Sequence, residues 1–210
     1  MLVINNLKKS FNFNPILSDV SLNVSEREVI QISGLNGSGK STLLKIIAGV
    51  LRPESGEVSI FNRNLLSRDC SSKEHIIYWA HQPMIYPNLT TYENIEFFLK
   101  IRNQTIPQDI DLILDEVNLL HLKDTQCDKF SQGMFQRFNL LRFIVSNWSI
   151  GLMDEPFSGL DIDGEDLLLK KIEYWKHKNR SLIIVSHNND RLKKICSHNY
   201  QIKNKSLVKI

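Results

Sequence analysis

The chain has 210 residues, 42% hydrophobic and 23% charged, with a formal net charge of +3 at pH 7. That length can bury roughly 70% of the surface an unfolded chain exposes, and the charge is far from the basic excess of nucleic-acid binders, so one folded domain without a nucleic-acid partner is expected. Three widely spaced cysteines, Cys70, Cys127 and Cys196, form no C-x-x-C pair, which argues against a disulfide framework or a zinc site and for a reducing compartment.

The opening MLVI is too short for a signal peptide and leads into Asn and Lys, so the chain is expected to start folded. No apolar run approaches the ~20 residues of a membrane span. Strands are expected at LVINNL, SLNV and EVIQIS, a helix from about Lys40, and strands at EVSIF and HIIYWA. Further on come a strand SIGLMD, a helix through DLLLKKIEYWKH and a strand SLIIVSH. Short β-branched runs alternating with helical periods predict an α/β domain with a buried parallel sheet. Between residues 86 and 146 no strand-like run occurs; Thr90 with Glu93 spells a capping box, Pro107 suits a first helical turn, and DIDLILDEVNLL repeats at helical spacing. The expected organisation is a single domain over 1–210 with a helical insertion at about 86–146.

SGLNGSGKST, Ser33 to Thr42, fits G-x-x-x-x-G-K-[ST] where that motif belongs, after a strand and at a helix start. Glycines let consecutive N–H groups converge on phosphate oxygens, the helix end adds about half a positive charge, and Lys40 reaches the outer phosphates. Gly34, Asn36, Gly37, Ser38, Gly39, Lys40, Ser41 and Thr42 are therefore the expected nucleotide-binding residues, with the Ser41 hydroxyl available to Mg²⁺. SIGLMDEP ends a strand in two acids: Asp154 is placed to hold Mg²⁺ and Glu155 to polarise a water.

FSQGMFQR, Phe130 to Arg137, followed by LMDEPFSGLD, resembles the signature motif, Walker B strand and D-loop of the ABC transporter ATPases. AHQP puts Gln82 at that family's Q-loop glutamine, IVSHNND puts His187 at its switch histidine, and Phe11 stands where its adenine-stacking aromatic does. Phe13 remains an alternative ring, or both could be core. The motifs keep family order from Leu2 to about Cys196. The resemblance implies a P-loop NTPase core with a mostly parallel sheet, an antiparallel β edge and a helical insertion. It also implies ATP hydrolysis with Mg²⁺: Glu155, His187 and Gln82 catalytic, Ser41, Gln82 and Asp154 around the metal, and Ser131 and Gly133 offered to ATP on a second copy in a head-to-tail pair. The transport path would lie in integral membrane permease subunits docked on the helical insertion, with Tyr86 and Leu89 exposed, and the chain would sit peripherally on the cytoplasmic face of the inner membrane.

The signature departs from L-S-G-G-Q at Phe130, Gln132 and Met134. HQPMIYPNLTTYENIEFF and DEPF resemble the small export-type ATPases, above all the haem exporter ATPase of cytochrome c maturation. Another small exporter of drugs, lipids or polysaccharides, or a non-transport ABC ATPase, is the alternative; a GTPase would need N-K-x-D, which NKSL does not supply.

Overall fold

The structure, a computed structural model, describes residues 1–67, 71–81, 84–187 and 190–210; Gln82 and Cys70 lie outside the described residues. Alternating apolar and polar residues shape the first sheet. In β1 (Leu2–Phe11) and β2 (Asn14–Val24), Leu2, Ile4, Leu7, Leu17, Val20, Leu22 and Val24 are buried, so each strand has one apolar face. Both strands run further than the sequence predicts, because Asn12 and Phe13, at φ 49° and 64°, close a two-residue turn between Phe11 and Asn14. An Asn-Phe pair is not a sequence signal for that turn, whereas Asn-Gly would be. The chain passes through β3 (Val29–Gly34) and helix α1 (Lys40–Ile47), then returns to this sheet as β4 (Ser55–Ile60) and the two-residue β5 (Arg63–Asn64). The four antiparallel strands lie in the order β2-β1-β4-β5.

The second sheet takes its central strands from apolar runs. β6 (Ile76–Trp79), β7 (Ile150–Asp154), β8 (Ser181–Val185), β9 (His198–Lys203) and β10 (Ser206–Lys209) join β3 in the order β10-β9-β3-β8-β7-β6. β3 pairs in parallel with β8 and β9, and β8 with β7; β10 is the antiparallel edge. Every residue of β7 and β8 is buried, as expected of strands covered on both faces. The β9–β10 hairpin is absent from the sequence reading, since HNYQIK is only half-buried and its turn residues, Asn204 and Lys205, again take positive φ with no glycine.

The chain divides into two compact units, Met1–Tyr78 with Trp148–Glu155 and Ile172–Ile210, and Trp79–Asn147 with Pro156–Lys171. The first is organised around one apolar cluster that includes Ile4, Ile30, Ile32, Leu43, Leu44, Ile47, Leu152 and Ile183. The second holds α2 (Thr91–Ile101), α3 (Ile110–Glu116), α4 (Gln132–Val145) and the first turns of α5 (Ile162–His177). Thr90 and Glu93 form the reciprocal capping box read from the sequence. α3 stops well short of the periodic run that predicts it. Asn118 turns left-handed at φ 56°, and the N–H groups of Asn118 and Leu119 bond back to Asp115 and Leu114, the pattern that terminates a helix. Asn103 ends α2 in the same way. A short α6 (Asp190–Ile195) follows β8. Among the described residues no helix is long and apolar enough to cross a membrane.

Gly56 shows how tightly the first sheet is built. It sits at φ 93° beside the irregular stretch of β1, and a Cβ there would lie 2.6 Å from Leu7 Cα and 2.7 Å from the Asn5 and Asn6 carbonyls. Gly56→Ala is expected to cost more than about 1 kcal/mol, read as a lower urea midpoint at unchanged slope.

Candidate functional site

The loop from Gly34 to Lys40 is held open by its own packing. Gly39, at φ 104°, immediately precedes α1, and a Cβ there would come within 2.8 Å of Leu17 and 2.9 Å of Ile16, so only glycine passes. Around Gly37 nothing lies within 4 Å of a virtual Cβ. No side chain caps α1 and no acid stands in its first turn. Lys40 is only 8% exposed, and its ammonium donates to the Gly34 and Leu35 carbonyls at 2.9 and 3.0 Å. The Ser38 hydroxyl is buried without a hydrogen-bond partner among the described residues. Uncapped helix N–H groups, an orphaned buried hydroxyl and a fixed cation around one open backbone stretch fit a phosphate chain.

Parallel pairing brings the acids to this loop. Asp154, the buried last residue of β7, accepts a hydrogen bond from Ser41 Oγ at 3.1 Å. A serine hydroxyl and a carboxylate in contact form a hard oxygen donor pair suited to Mg²⁺. Tyr78, at the end of β6, stands against Asp154; burial first, then the carboxylate, pushes the phenol pKa up, so it stays protonated. Glu155 adopts φ 51°, a costly conformation for glutamate, fixed by its N–H donating to the Val185 carbonyl at 2.9 Å. That turn sets its carboxylate beside His187: Oε2 accepts the His187 backbone N–H at 3.3 Å, and Oε1 lies 3.5 Å from Nε2, buried and without a hydrogen bond among the described residues. Phe11, 45% exposed, and Phe13, fully exposed at the hairpin tip, are both outside the core, which removes the core alternative for them.

The signature residues start α4 in the second unit. Ser131 caps the helix through the Met134 N–H, while the Ser131 N–H points back to Met134 Sδ, both at 3.3 Å. The thioether thus fills the place of a glutamine in a capping box, as a weaker acceptor. Gly133 sits in a tight place: a Cβ there would meet the Gly159 carbonyl at 3.0 Å. Gln132, in place of a signature glycine, lays its side chain where a Cβ of Gly159 would fall.

Three residues here escape sequence reasoning. Gln136 is buried, accepts the Trp79 indole N–H at 2.6 Å and donates to the Ser158 carbonyl at 2.8 Å. Arg137 grips Asp161 with one nitrogen at 2.6 and 2.8 Å from its two oxygens and also reaches the Val117 carbonyl. Both lie within the quoted FSQGMFQR, but their partners are distant in sequence, as Asp154 is for Tyr78. Leu89 is half-buried and Tyr86 exposed.

A strand–glycine loop–helix unit with two acids at the carboxyl end of another parallel strand of the same sheet defines a P-loop nucleotide-binding protein. Residues 17–158 match the family model described as ABC transporter, and the chain belongs to that family, as an ATP-binding subunit with ATPase chemistry. The lipopolysaccharide export system ATP-binding protein LptB of Haemophilus influenzae is 30% identical, over 95% of this chain and 86% of its own. The cytochrome c biogenesis ATP-binding export protein CcmA of Legionella pneumophila is 30% identical, over 96% of this chain and 100% of its own. Among solved structures, the dimeric post-hydrolysis state of the ATP-binding cassette MJ0796 with ADP and Pi superposes with a TM-score of 0.88 at 24% identity, covering 100% of this chain and 98% of that one.

Removing the fixed cation gives a direct test. Lys40→Ala is expected to weaken ATP binding roughly ten- to hundredfold, the range for losing charge-assisted hydrogen bonds, in a fluorescent-nucleotide titration.

Proposed function

We propose that this ATPase drives export through separate integral membrane subunits, with haem export for cytochrome c biogenesis as the favoured cargo. The observation that carries the catalytic part is the convergence of Lys40, Ser38, Ser41, Asp154 and the Glu155–His187 pair on one glycine loop. The cargo reading is supported by the CcmA relatives and the HQP and DEPF segments. The LptB and lantibiotic SrtF relatives support another small exporter as the second reading.

In the proposed mechanism the 1–210 chain works as one ATPase domain. The N–H groups from Gly34 to Thr42, Asn36 included, wrap the phosphates, Lys40 exchanges its carbonyl partners for phosphate oxygens, and Phe11 offers its exposed ring to the adenine. Ser41 and Asp154, with Gln82, would hold Mg²⁺, which when bound supplies charge neutralisation at the outer phosphates. Glu155 takes the proton of the attacking water, and His187 keeps that carboxylate turned toward the reaction. Ser131 and Gly133 of one copy face the nucleotide of another in a head-to-tail pair. The helical segment after β6 meets the membrane subunits, so the chain works peripherally on the cytoplasmic face of the inner membrane.

Glu155→Gln is expected to retain ATP binding and lose phosphate release by at least about 100-fold, the contribution of a positioned general base. Wild-type turnover in that variant would remove Glu155 from catalysis. For the cargo, deleting the gene should abolish haem-stained c-type cytochromes while leaving outer-surface glycolipid unchanged; intact cytochromes would favour the second reading.

A further inference from the structure

α2 and α4 both begin with a reciprocal cap, but with different acceptors. At α2 the Thr90 N–H meets a carboxylate oxygen of Glu93 at 2.8 Å, and the Glu93 N–H meets Thr90 Oγ1 at 3.2 Å. At α4 both bonds are 3.3 Å long, and the acceptor for the Ser131 N–H is the Met134 thioether. Sulfur accepts weakly, and 3.3 Å from nitrogen to oxygen lies beyond the usual range of roughly 2.7–3.2 Å, so the cap of α4 is the looser one.

The same sulfur is open to chemistry. Met134 is half-buried and lines a cleft of about 270 Å³ with Asn118, His121 and Arg137. The Ser131 N–H engages one sulfur lone pair and leaves the other for an oxidant. Met153, by contrast, is fully buried in β7, and burial pushes the Cys127 and Cys196 thiols up, Cys196 to about 12, which keeps both from the reactive thiolate form. One oxygen on Met134 Sδ gives a side chain with the branching of glutamine: two methylenes, then an atom bearing an acceptor oxygen and a terminal group. Glutamine is also the residue that a signature of the form L-S-G-G-Q places here.

We propose that Met134 is a reversible oxidation site, whose sulfoxide turns the weak sulfur cap of α4 into an oxygen cap and holds Ser131 more firmly for its nucleotide contact. Hydrogen peroxide supplies the oxygen: its O–O bond breaks, a sulfur lone pair forms the S–O bond, the sulfur is oxidised by two electrons, and the other peroxide oxygen leaves with both protons as water. A dithiol reverses the step through a sulfoxide reductase, carrying the oxygen off as water and closing to a disulfide. The sulfoxide oxygen accepts the Ser131 N–H as the Glu93 carboxylate accepts that of Thr90. The consequence for ATP rests on the head-to-tail reading above; the oxidation and the cap do not.

The test treats the nucleotide-free full chain with limiting hydrogen peroxide, removes it, and restores any oxidised cysteine with dithiothreitol, which leaves sulfoxides in place. Peptide mass spectrometry is expected to find one added oxygen on Met134 well before Met153; none on Met134 once the exposed Met84 is fully oxidised overturns the modification site. NMR exchange of the Ser131 amide is expected to slow about fivefold on oxidation, the worth of one hydrogen bond, and a methionine sulfoxide reductase to restore the original rate. Met134→Gln should show the slow rate without peroxide, and Met134→Leu the fast rate with or without it. Unchanged or faster exchange on oxidation, or a Met134→Gln chain that exchanges like Met134→Leu, overturns the oxygen cap. Phosphate release from ATP is expected to rise about twofold with oxidation and with Met134→Gln, the lower end of what one hydrogen bond contributes. A slow amide with unchanged phosphate release overturns the link to the nucleotide contact of Ser131, and a chain that light scattering finds unpaired with ATP overturns the head-to-tail reading rather than the oxygen cap.

Discussion

Everything at the phosphate loop depends on the parallel register of three strands. Ile32 lies opposite Val185 and Val185 opposite Asp154, so the carboxyl ends of β3, β8 and β7 finish at one level. From those ends come the glycine loop, His187 and the two acids. In an open parallel sheet this edge is where ligands bind, because every loop leaving it starts beside the others. A slip of one residue in β7 would turn Asp154 to the opposite face and take it from Ser41. The wholly buried β7 and β8 therefore serve the chemistry as much as the core, since their apolar residues hold that register.

The parts legible in the sequence were those with a local cause. Continuous apolar runs identified β3, β7 and β8, glycine spacing identified the loop, and Thr90 with Glu93 identified the start of α2. The hairpins were not legible at their turns: Asn12-Phe13 and Asn204-Lys205 adopt positive φ although neither pair contains glycine. Asparagine also hid the end of α3, because Asn118 enters the left-handed region inside a run whose apolar spacing continues past it. At the site, the ordered motifs pointed to Lys40, Ser41, Asp154, Glu155 and His187. Tyr78, Gln136 and Arg137 were not legible, since the role of each comes from contacts that only the fold creates.

The altered signature illustrates how a motif can lose residues and keep its architecture. Met134 still closes the cap of α4, through sulfur. The neighbouring turn before α5 is tied to the same helix by three independent contacts: Gly133 against Gly159, Gln136 to Ser158, and Arg137 to Asp161. Asp161 is 62% exposed, so its ion pair is weak on its own account, and the buried Gln136 contributes the firmer link. Substitution at Phe130, Gln132 and Met134 therefore leaves the position of Ser131 intact, because the helix start is anchored from behind.

Lys40 has already been stripped of most of its water by folding, and its ammonium rests on two carbonyls whose orientation the loop dictates. An arriving triphosphate consequently meets a charge that needs little dehydration and little reorientation, and the carbonyl contacts it displaces offset part of what the phosphates gain. Because bulk ions screen such a sheltered group far less than one at the surface, the lysine's share of nucleotide affinity should persist in high salt, where the pull of exposed cations fades.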